Sequence, residues 1–373
     1  MRISVTLLHT LMYGVKKLRM KKVLGIFIMM FLGLVLSSCT GSFVSMCDLF
    51  PESQKVEVHQ PAFDVDSIRK PIDMYYVDGK LFLVDMYSSP LVTAFDWKTG
   101  KYLGQFANRG QGPQEFLWFS TASSFDGKLG LYDVNKKEFA WFAYAGDTVR
   151  CSSIRFTHSD KMFPFKVIAL SDEYFVATGL IEENKHFAIY NKEGQKVTVF
   201  GDYPKDDSKA DCSYQENAFA YQPTGMVYHA KEKVFAVGER DGQIAIFFDM
   251  SDMLHPKLLK QHVVSYPQFT DNSTDTSTSV LFLKENVNGF FGMAATDKYC
   301  VGLFSGKQSP EGDTYIDGGD KLLLFDWKGN PIKRIDLPQE YSMITASEEQ
   351  IVLLGTDPET YNYIINTIDI CDL

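Results

Sequence analysis

A pattern of two apolar strands joined by turn residues recurs six times along the chain. In the first copy the Asp78-Gly79 doublet precedes an apolar strand that ends near Asp85, and a second apolar strand covers residues 91–96. The other five copies begin at residues 126, 171, 231, 296 and 347, so consecutive copies start roughly 45 to 65 residues apart. Repeats of this length, rich in Val, Ile, Phe and Tyr, are typical of one four-stranded propeller blade per copy. The sequence therefore predicts an all-β fold, a six-bladed β-propeller.

The two ends of the repeat region predict how the ring of blades closes. The last copy has room for three strands before Leu373, and residues 55–59 alternate as a strand ahead of the first copy. We expect this N-terminal strand to complete the last blade as its outer strand, which removes an exposed sheet edge. A two-sheet sandwich is the alternative architecture, and six regular copies argue against it. No helix is expected in this part of the chain.

The N-terminal segment has the features of a lipoprotein signal peptide. Met20-Lys21-Lys22 precedes a run of 14 apolar and glycine residues over 23–36, whereas a bilayer-spanning helix needs about 20. The Leu36-Ser37-Ser38-Cys39 sequence that follows resembles the lipobox of bacterial lipoproteins, in which the cysteine is lipidated and becomes the N-terminus. We expect residues 1–38 to be the signal peptide, with 1–19 an upstream extension if translation starts at Met20. A transmembrane anchor with Cys39 as an ordinary thiol is the alternative.

The rest of the chain is expected to hold one domain on a membrane anchor. Residues 39–54 are predicted to be a flexible tether and residues 55–373 the propeller, which we expect to be monomeric. Without residues 1–38 the chain has 31 basic and 47 acidic side chains, a net charge of −16. Such a surface repels phosphate backbones, so nucleic-acid binding is not expected. The five remaining cysteines lack the clustering of a metal site, and neither a metal nor a cofactor is expected.

A glycine-rich element, Asn-Arg-Gly-Gln-Gly-Pro-Gln-Glu-Phe at 108–116, follows the first copy. Together with the signal peptide and the six repeats, it resembles the TolB-like six-bladed propeller lipoproteins of Bacteroidetes. Their G-x-G-P-x-E-F element is matched here by Gly110, Gly112, Pro113, Glu115 and Phe116. The resemblance implies a cell-envelope propeller and no particular activity. Surface-exported lipoproteins of this phylum usually carry an acidic run after the cysteine, and Cys39 has none, so we expect an outer-membrane lipoprotein that faces the periplasm.

The same glycine-rich element contains the first group of candidate binding residues. Arg109 can bind a carboxylate or a phosphate through two hydrogen bonds, and Glu115 can orient the arginine, with Gln111 between them. The alternative interpretation is an interblade turn, in which Phe116 fills the gap between two blades.

An aromatic and amide cluster before the fourth copy contains the second group of candidate binding residues. Tyr214, Tyr221 and Gln222 can stack on sugars or contact a peptide at the mouth of a propeller. The alternative interpretation places Phe219 and Tyr221 in the core between blades.

These patterns favour a binding or scaffold module of the cell envelope for a glycan, a peptide or a partner protein. The alternative is a hydrolase or lyase that acts on a glycan or a lactone, with acids that converge in the central channel. No catalytic residue is assigned, because the sequence has neither a zinc-hydrolase motif nor a nucleophile elbow. Three or more acids or histidines at one mouth of the channel would favour the enzyme.

Overall fold

Six antiparallel sheets, arranged as the blades of a propeller, make up the described part of the protein. The computed structural model describes residues 45–373 apart from 64–66, 86, 146–147, 159–161, 210, 275–276 and 309–317. In each blade consecutive strands pair side by side, and the first strand lines a central channel. The prediction of a six-bladed propeller is confirmed.

The first three blades follow an N-terminal segment that consists of a 3-10 helix (Met46–Leu49) and strand β1 (Glu52–Lys55). Blade one contains β2 (Asp73–Val77), β3 (Lys80–Val84), β4 (Val92–Asp96) and β5 (Tyr102–Phe106). Blade two contains β6 (Phe119–Phe125), β7 (Lys128–Asp133), β8 (Glu138–Ala145) and β9 (Thr148–Arg155). Blade three contains β10 (Phe163–Ala169), β11 (Tyr174–Leu180), β12 (Lys185–Asn191) and β13 (Lys196–Asp202), with a 3-10 turn at Glu182–Asn184.

A second 3-10 turn (Asp207–Lys209) and helix α1 (Tyr214–Ala220) lead into blade four. Blade four contains β14 (Pro223–His229), β15 (Val234–Glu239), β16 (Gln243–Asp249) and β17 (Lys257–Ser265), and a small hairpin of β18 (Phe269–Asp271) and β19 (Val280–Phe282) follows. Blade five contains β20 (Phe290–Ala295), β21 (Cys300–Phe304), β22 (Gly319–Phe325) and β23 (Pro331–Tyr341). Blade six contains β24 (Met343–Ala346), β25 (Gln350–Thr356) and β26 (Tyr363–Asp369), and a 3-10 turn (Ile370–Asp372) follows.

Short turns between the strands explain why the repeat pattern folds into blades. Asp78 and Gly79 both have positive φ, 47° and 71°, and so do Asp126 and Gly127 at the same place in blade two. Two-residue hairpins need this backbone, and Asp-Gly adopts it at low cost. Asp326, at the end of β22, accepts hydrogen bonds from turn amides on Oδ1 and so closes the turn into β23. Local sequence therefore sets the strand pairing within each blade.

Six clusters of buried apolar side chains hold the blades to one another. Each cluster takes its members from two neighbouring blades, and the sixth joins blade six to blade one. There Leu81 and Phe95 pack with Val352 and Ile365, and all four are at most 1% exposed. This contact closes the ring through apolar packing, which is the main stabilising term in such an interface.

The N-terminal segment packs between blades four and five, which differs from the flexible tether expected over 39–54. Met46 is completely buried, and the Phe50 ring lies edge-on to Phe325 with 5.1 Å between ring centres. The Met46 amide also donates to the buried Gln243 side chain at 2.8 Å. The segment packs against the propeller because it contains the apolar residues Met46, Cys47 and Phe50, which are all buried in the same cluster. Residues 1–44, with the predicted signal peptide and Cys39, lie outside the described residues.

The N-terminal segment also pairs with the edge of the last blade, over fewer residues than expected. Strand β1 pairs in parallel with β23 of blade five, with Glu52 opposite Lys333. Beyond β1, His59 alone bridges the sixth blade: its amide donates to the Thr367 carbonyl at 2.9 Å, and its carbonyl accepts from the Thr367 amide at 2.7 Å. The predicted outer strand at 55–59 is therefore a two-bond bridge to β26, and the regular strand lies a few residues earlier against blade five.

Helix α1 is a correction to the expectation of no helix. Ser213 and Glu216 form a reciprocal capping box at its N-terminus, which is a recognised helix-start signal. At seven residues the helix is too short for apolar periodicity to reveal it. Among the helices of the described residues, none has the length and apolarity needed to cross a membrane.

Candidate functional site

A cavity of about 360 Å³ runs along the axis of the propeller, and the inner strands of all six blades form its wall. This volume is typical of sites for small molecules. The wall includes hydroxyl-bearing residues such as Ser120 and Thr224 and apolar residues such as Met226 and Met293. All six inner strands begin at the same face, which we call the entry face; their first residues are Asp73, Phe119, Phe163, Pro223, Phe290 and Met343.

Asp73 places a carboxyl group in the channel wall at the entry face. Its Oδ1 accepts from the Met74 amide at 3.0 Å, and its Oδ2 lies 2.9 Å from the Tyr75 hydroxyl. The same hydroxyl lies 2.6 Å from the Ala122 carbonyl of blade two. Burial raises the pKa of Asp73 to about 6, although hydrogen bonding to Tyr75 and the charge of Lys166 oppose the rise. Burial and the Asp73 carboxyl together raise the pKa of Tyr75 well above its ordinary value.

Lys166 is the cation of the channel wall. It belongs to β10, directly after a β-bulge between Pro164 and Lys166, and bulges commonly re-aim a side chain. Its Nζ donates to the Pro223 carbonyl of blade four at 2.6 Å, which is its one hydrogen bond among the described residues. Burial lowers the pKa of Lys166, and the carboxyl groups of Asp73 and Glu239 act against that shift. An ammonium group has three donors, so this lysine has hydrogen-bonding capacity left in the channel.

Glu239 lies beside this lysine at the end of β15 and is completely buried. Neither carboxyl oxygen has a hydrogen-bond partner among the described residues. The nearest basic side-chain atom is His186 Nε2, 3.5 Å from Oε1, and this nitrogen also lies 3.1 Å from the Tyr221 carbonyl. Burial raises the pKa of Glu239 to about 8 and lowers that of His186 to about 3. At neutral pH both groups are therefore mainly uncharged.

A second charged pair follows Glu239 in the turn of blade four. The guanidinium carbon of Arg240 lies 3.8 Å from the ring centre of Phe291, which lines the channel. Asp241 accepts from the Asn286 side chain at 2.6 Å. Burial raises the pKa of Asp241 to about 6, and the charge of Arg240 acts against the rise. This end of the channel thus brings together charged groups from blades one, three and four.

The glycine-rich element at 108–116 forms a compact turn between blades one and two on the entry face. Glu115 accepts from the Gly112 amide at 2.8 Å, and the Arg109 amide donates to the Ser89 hydroxyl at 3.1 Å. A Cβ at Gly110 would lie 2.0 Å from Glu115 Oε2, so the glycine is needed for the carboxylate to fold over the turn. Phe116 is 3% exposed and packs in the apolar cluster between the two blades.

The three candidate binding residues of the element differ in how far they are exposed to solvent. Gln111 is exposed, while Arg109 and Glu115 are half-buried. The Glu115 carboxylate has a structural role within the turn, and the position of Phe116 agrees with the interblade alternative. Exposed Gln111 is the member of the group most accessible to a partner.

The second predicted group, Tyr214, Tyr221 and Gln222, lies at the two ends of helix α1. Backbone carbonyls of this group contact residues near the channel. Tyr221 is 2% exposed, packs in the cluster between blades three and four, and offers its carbonyl to His186. The Gln222 carbonyl accepts from the Arg240 amide at 3.4 Å, and Tyr214 is half-buried at the start of the helix. The alternative interpretation for Tyr221, a core side chain, is what the structure shows.

Asp73, Lys166 and Glu239 were not among the residues singled out from the sequence. A signal for one of them was nevertheless present, since Lys166 is a charged residue within the apolar stretch of an inner strand. A separate group, Asp369, Cys371 and Asp372, has ligand atoms within 4.8 Å of one another, as a metal site requires. Cys371 and Asp372 are exposed at the face opposite the entry face, away from the channel.

The sequence matches a protein family described as TolB-like 6-blade propeller-like over residues 49–349. The chain belongs to this TolB-like family. The match covers blades one to five and strand β24 of blade six, and so agrees with the resemblance carried by the 108–116 element. No curated protein sequence matches the chain.

Solved structures similar to this TolB-like propeller include two from Bacteroides. One is a member of the DUF4221 family from Bacteroides vulgatus, with 12% identity, a TM-score of 0.58, and coverage of 84% of this chain and 98% of that chain. The other is a putative exported protein from Bacteroides fragilis, with 10% identity, a TM-score of 0.52, and coverage of 85% of this chain and 98% of that chain. At such identities the likeness shows the fold alone.

Proposed function

We propose that this TolB-like propeller is an exported binding module of the cell envelope that holds its ligand in the central channel at the entry face. The observation that carries the proposal is Lys166, a channel-lining ammonium group with one hydrogen bond among the described residues. Lys166 is half-buried in the channel wall, and a charged group with spare donors in a cavity of ligand size is a feature of binding sites. The ligand classes proposed are a glycan, a peptide or a segment of a partner protein.

The channel supports binding better than hydrolysis. Glycoside hydrolysis uses two carboxyl groups that flank the scissile bond. Within the described residues, Asp73 is the one carboxyl residue in the channel wall, and Glu239 does not line the cavity. A hydrolase or lyase therefore remains the second candidate, supported by the clustering of acids near the mouth rather than by a pair in the wall.

The proposed location combines two independent supports. The similar protein from Bacteroides fragilis is described as exported, and the N-terminal sequence of this chain has the pattern of a lipoprotein signal peptide. Lipidation of Cys39 and a periplasm-facing position on the outer membrane are part of this proposal. Labelling cells with a clickable palmitate analogue, with Cys39→Ser as the control, tests the anchor, and proteinase treatment of intact cells tests the side.

A ligand screen with matched variants tests the binding function. We expect at least one glycan or peptide in a library to raise the melting temperature of the purified protein, and Lys166→Met to abolish that shift. Lys192→Met is the control, because Lys192 lies in an exposed turn of the opposite face and pairs with Glu173. A ligand whose effect survives Lys166→Met would place binding outside the channel, and turnover of a library member would favour the enzyme.

A further inference from the structure

The hydrogen bonds around Tyr75 indicate where a proton resides in the channel. The Tyr75 hydroxyl has one proton but lies within hydrogen-bonding distance of two acceptors, Asp73 Oδ2 at 2.9 Å and the Ala122 carbonyl at 2.6 Å. Both contacts are satisfied if Asp73 is protonated, because its hydroxyl then donates to Tyr75 while Tyr75 donates to Ala122. With Asp73 ionised, one of the two short contacts would join two acceptors. The geometry therefore fits the protonated form of Asp73, which is the major form below its pKa of about 6.

A neutral Asp73 leaves the channel wall with a net positive charge. Asp73 faces Tyr75 on its own strand, the Ala122 backbone amide of blade two and the charge of Lys166 from blade three. Lys166 in turn faces Asp73, Glu239 and, from the turn of blade four, Arg240. Glu239 has no hydrogen-bond donor among the described residues, as expected for an uncharged buried acid.

Arg240 and Asp241 do not line the cavity, and burial raises the pKa of Asp241 to about 6, as it does that of Asp73. With Asp73 and Glu239 neutral, the charge of Lys166 thus has no counter-charge in the channel wall described here. A single ammonium group with spare donors matches one carboxylate, whereas phosphate dianions are usually held by several cations or backbone amides.

We propose that the channel binds a small hydroxylated carboxylate, such as a uronic acid, with its carboxylate on Lys166 Nζ and a proton held on Asp73. This inference rests on the proposed function and names the ligand class of the same site. Hydroxyl-bearing wall residues such as Ser120, Ser124 and Thr224 line the cavity. The Ser120 and Thr224 hydroxyls donate to backbone carbonyls and can still accept hydrogen bonds from the hydroxyl groups of a sugar acid. Binding at neutral pH converts the Asp73 carboxylate to the carboxylic acid by uptake of one proton from solvent.

Calorimetric titration of the purified protein with D-glucuronate between pH 5 and 8 tests the proposal. A bound anion favours neutral Asp73, so its pKa is higher in the complex than in the free protein, where it is about 6. Affinity is then strongest below pH 6 and falls as the pH rises above it, by up to about tenfold per pH unit for one linked proton. Titrations in two buffers of different ionisation enthalpy should show uptake of up to one proton.

Three variants separate the roles of the groups. Lys166→Met should weaken glucuronate binding at least about tenfold, whereas Lys166→Arg, which keeps the charge, should restore part of it. Asp73→Asn places an amide donor where the neutral acid would be, so binding should persist with a flatter pH profile. Glu193→Gln, in an exposed turn of the opposite face, is the control, and its profile between pH 5 and 7 should follow the unaltered protein. Circular dichroism confirms that each variant is folded.

Titrations with three comparison compounds show which chemical class the site prefers. D-Glucose is the neutral match for glucuronate, alanyl-alanine presents a peptide carboxylate, and inorganic phosphate is the anionic alternative. Glucose or phosphate binding as tightly as glucuronate would overturn the carboxylate assignment, and preference for the dipeptide would overturn the sugar acid. If glucuronate fails but another glycan or peptide binds in a Lys166-dependent way, the inference fails while the proposed function stands. If no compound of any class binds, both fail.

Discussion

Replacing Glu239 with glutamine removes a buried acid without changing the shape of the side chain, so the variant isolates the cost of ionisation. Glu239 is 0% exposed, and burial raises its pKa from 4.5 to about 8. A carboxyl group with a raised pKa in the folded state contributes stability below its unfolded pKa. That contribution is lost as the pH rises from about 4.5 to about 8. The folded protein should therefore become less stable through this interval because of this one group.

The size of the effect follows from the two pKa values. At about 1.36 kcal/mol per pH unit, the interval from pH 5 to a pKa of about 8 corresponds to about 4 kcal/mol of unfolding free energy. Glutamine lacks this titration, although its buried amide carries a hydrogen-bonding cost of about 1–3 kcal/mol at every pH. At each pH, the free energy of unfolding of the original protein is subtracted from that of the variant. The pH-independent cost cancels when this difference at pH 5 is subtracted from the same difference at pH 9. We expect the variant to gain about 4 kcal/mol relative to the original between these two values.

Urea unfolding at constant ionic strength, followed by tryptophan fluorescence at pH 5, 6, 7, 8 and 9, measures these differences. Asp73 and Asp241, whose pKa values also rise to about 6, titrate in both proteins and so do not enter the comparison. Glu193→Gln is the control, because Glu193 is exposed in a turn on the opposite face. A relative gain below about 1 kcal/mol would refute the reasoning, since it would mean that Glu239 ionises in the folded protein as it does in water.

Two further predictions concern packing. Met46→Ala should lower the free energy of unfolding by about 2–4 kcal/mol, because Met46 is completely buried between blades four and five; a loss below about 1 kcal/mol in urea unfolding would contradict packing of this segment. Gly110→Ala should destabilise more than Gly112→Ala, because a Cβ would lie 2.0 Å from the Glu115 carboxylate at position 110 but 3.0 Å at position 112, and Gly110 alone of the two has positive φ. Equal melting temperatures for the two glycine variants would speak against this account.

The number of blades could be predicted from the sequence because it depends on local information. Each copy carries its own turn residues, such as Asp78-Gly79 and Asp126-Gly127, and these set the pairing of adjacent strands whatever the rest of the chain does. The pairing of β1 with blade five could not be predicted in the same way. Alternation identifies a strand but not its partner, and the Glu52–Lys55 strand is exposed on most of its residues and so has no apolar face to fix its position.

The candidate site is harder to predict than the fold because its members are close only in the closed ring. Asp73, Lys166 and Glu239 come from blades one, three and four, and no short spacing along the chain relates them. Sequence motifs therefore favour the 108–116 element, whose residues are adjacent along the chain. In the structure that element mainly supports its own turn, through Glu115 and Phe116.

Comparison of the six copies with one another points to Lys166 without any relative. Lys166 directly follows a β-bulge in its inner strand. The residues that follow the equivalent bulges in blades two, four and five are uncharged: Thr121, Gly225 and Gly292. The blade fold therefore does not require a charge at this register, and a half-buried lysine with one hydrogen bond among the described residues is less favourable there than an apolar residue. Because the repeat does not need a charge at this position, Lys166 is best explained by what it contacts in the channel. The ligand experiments therefore begin with Lys166.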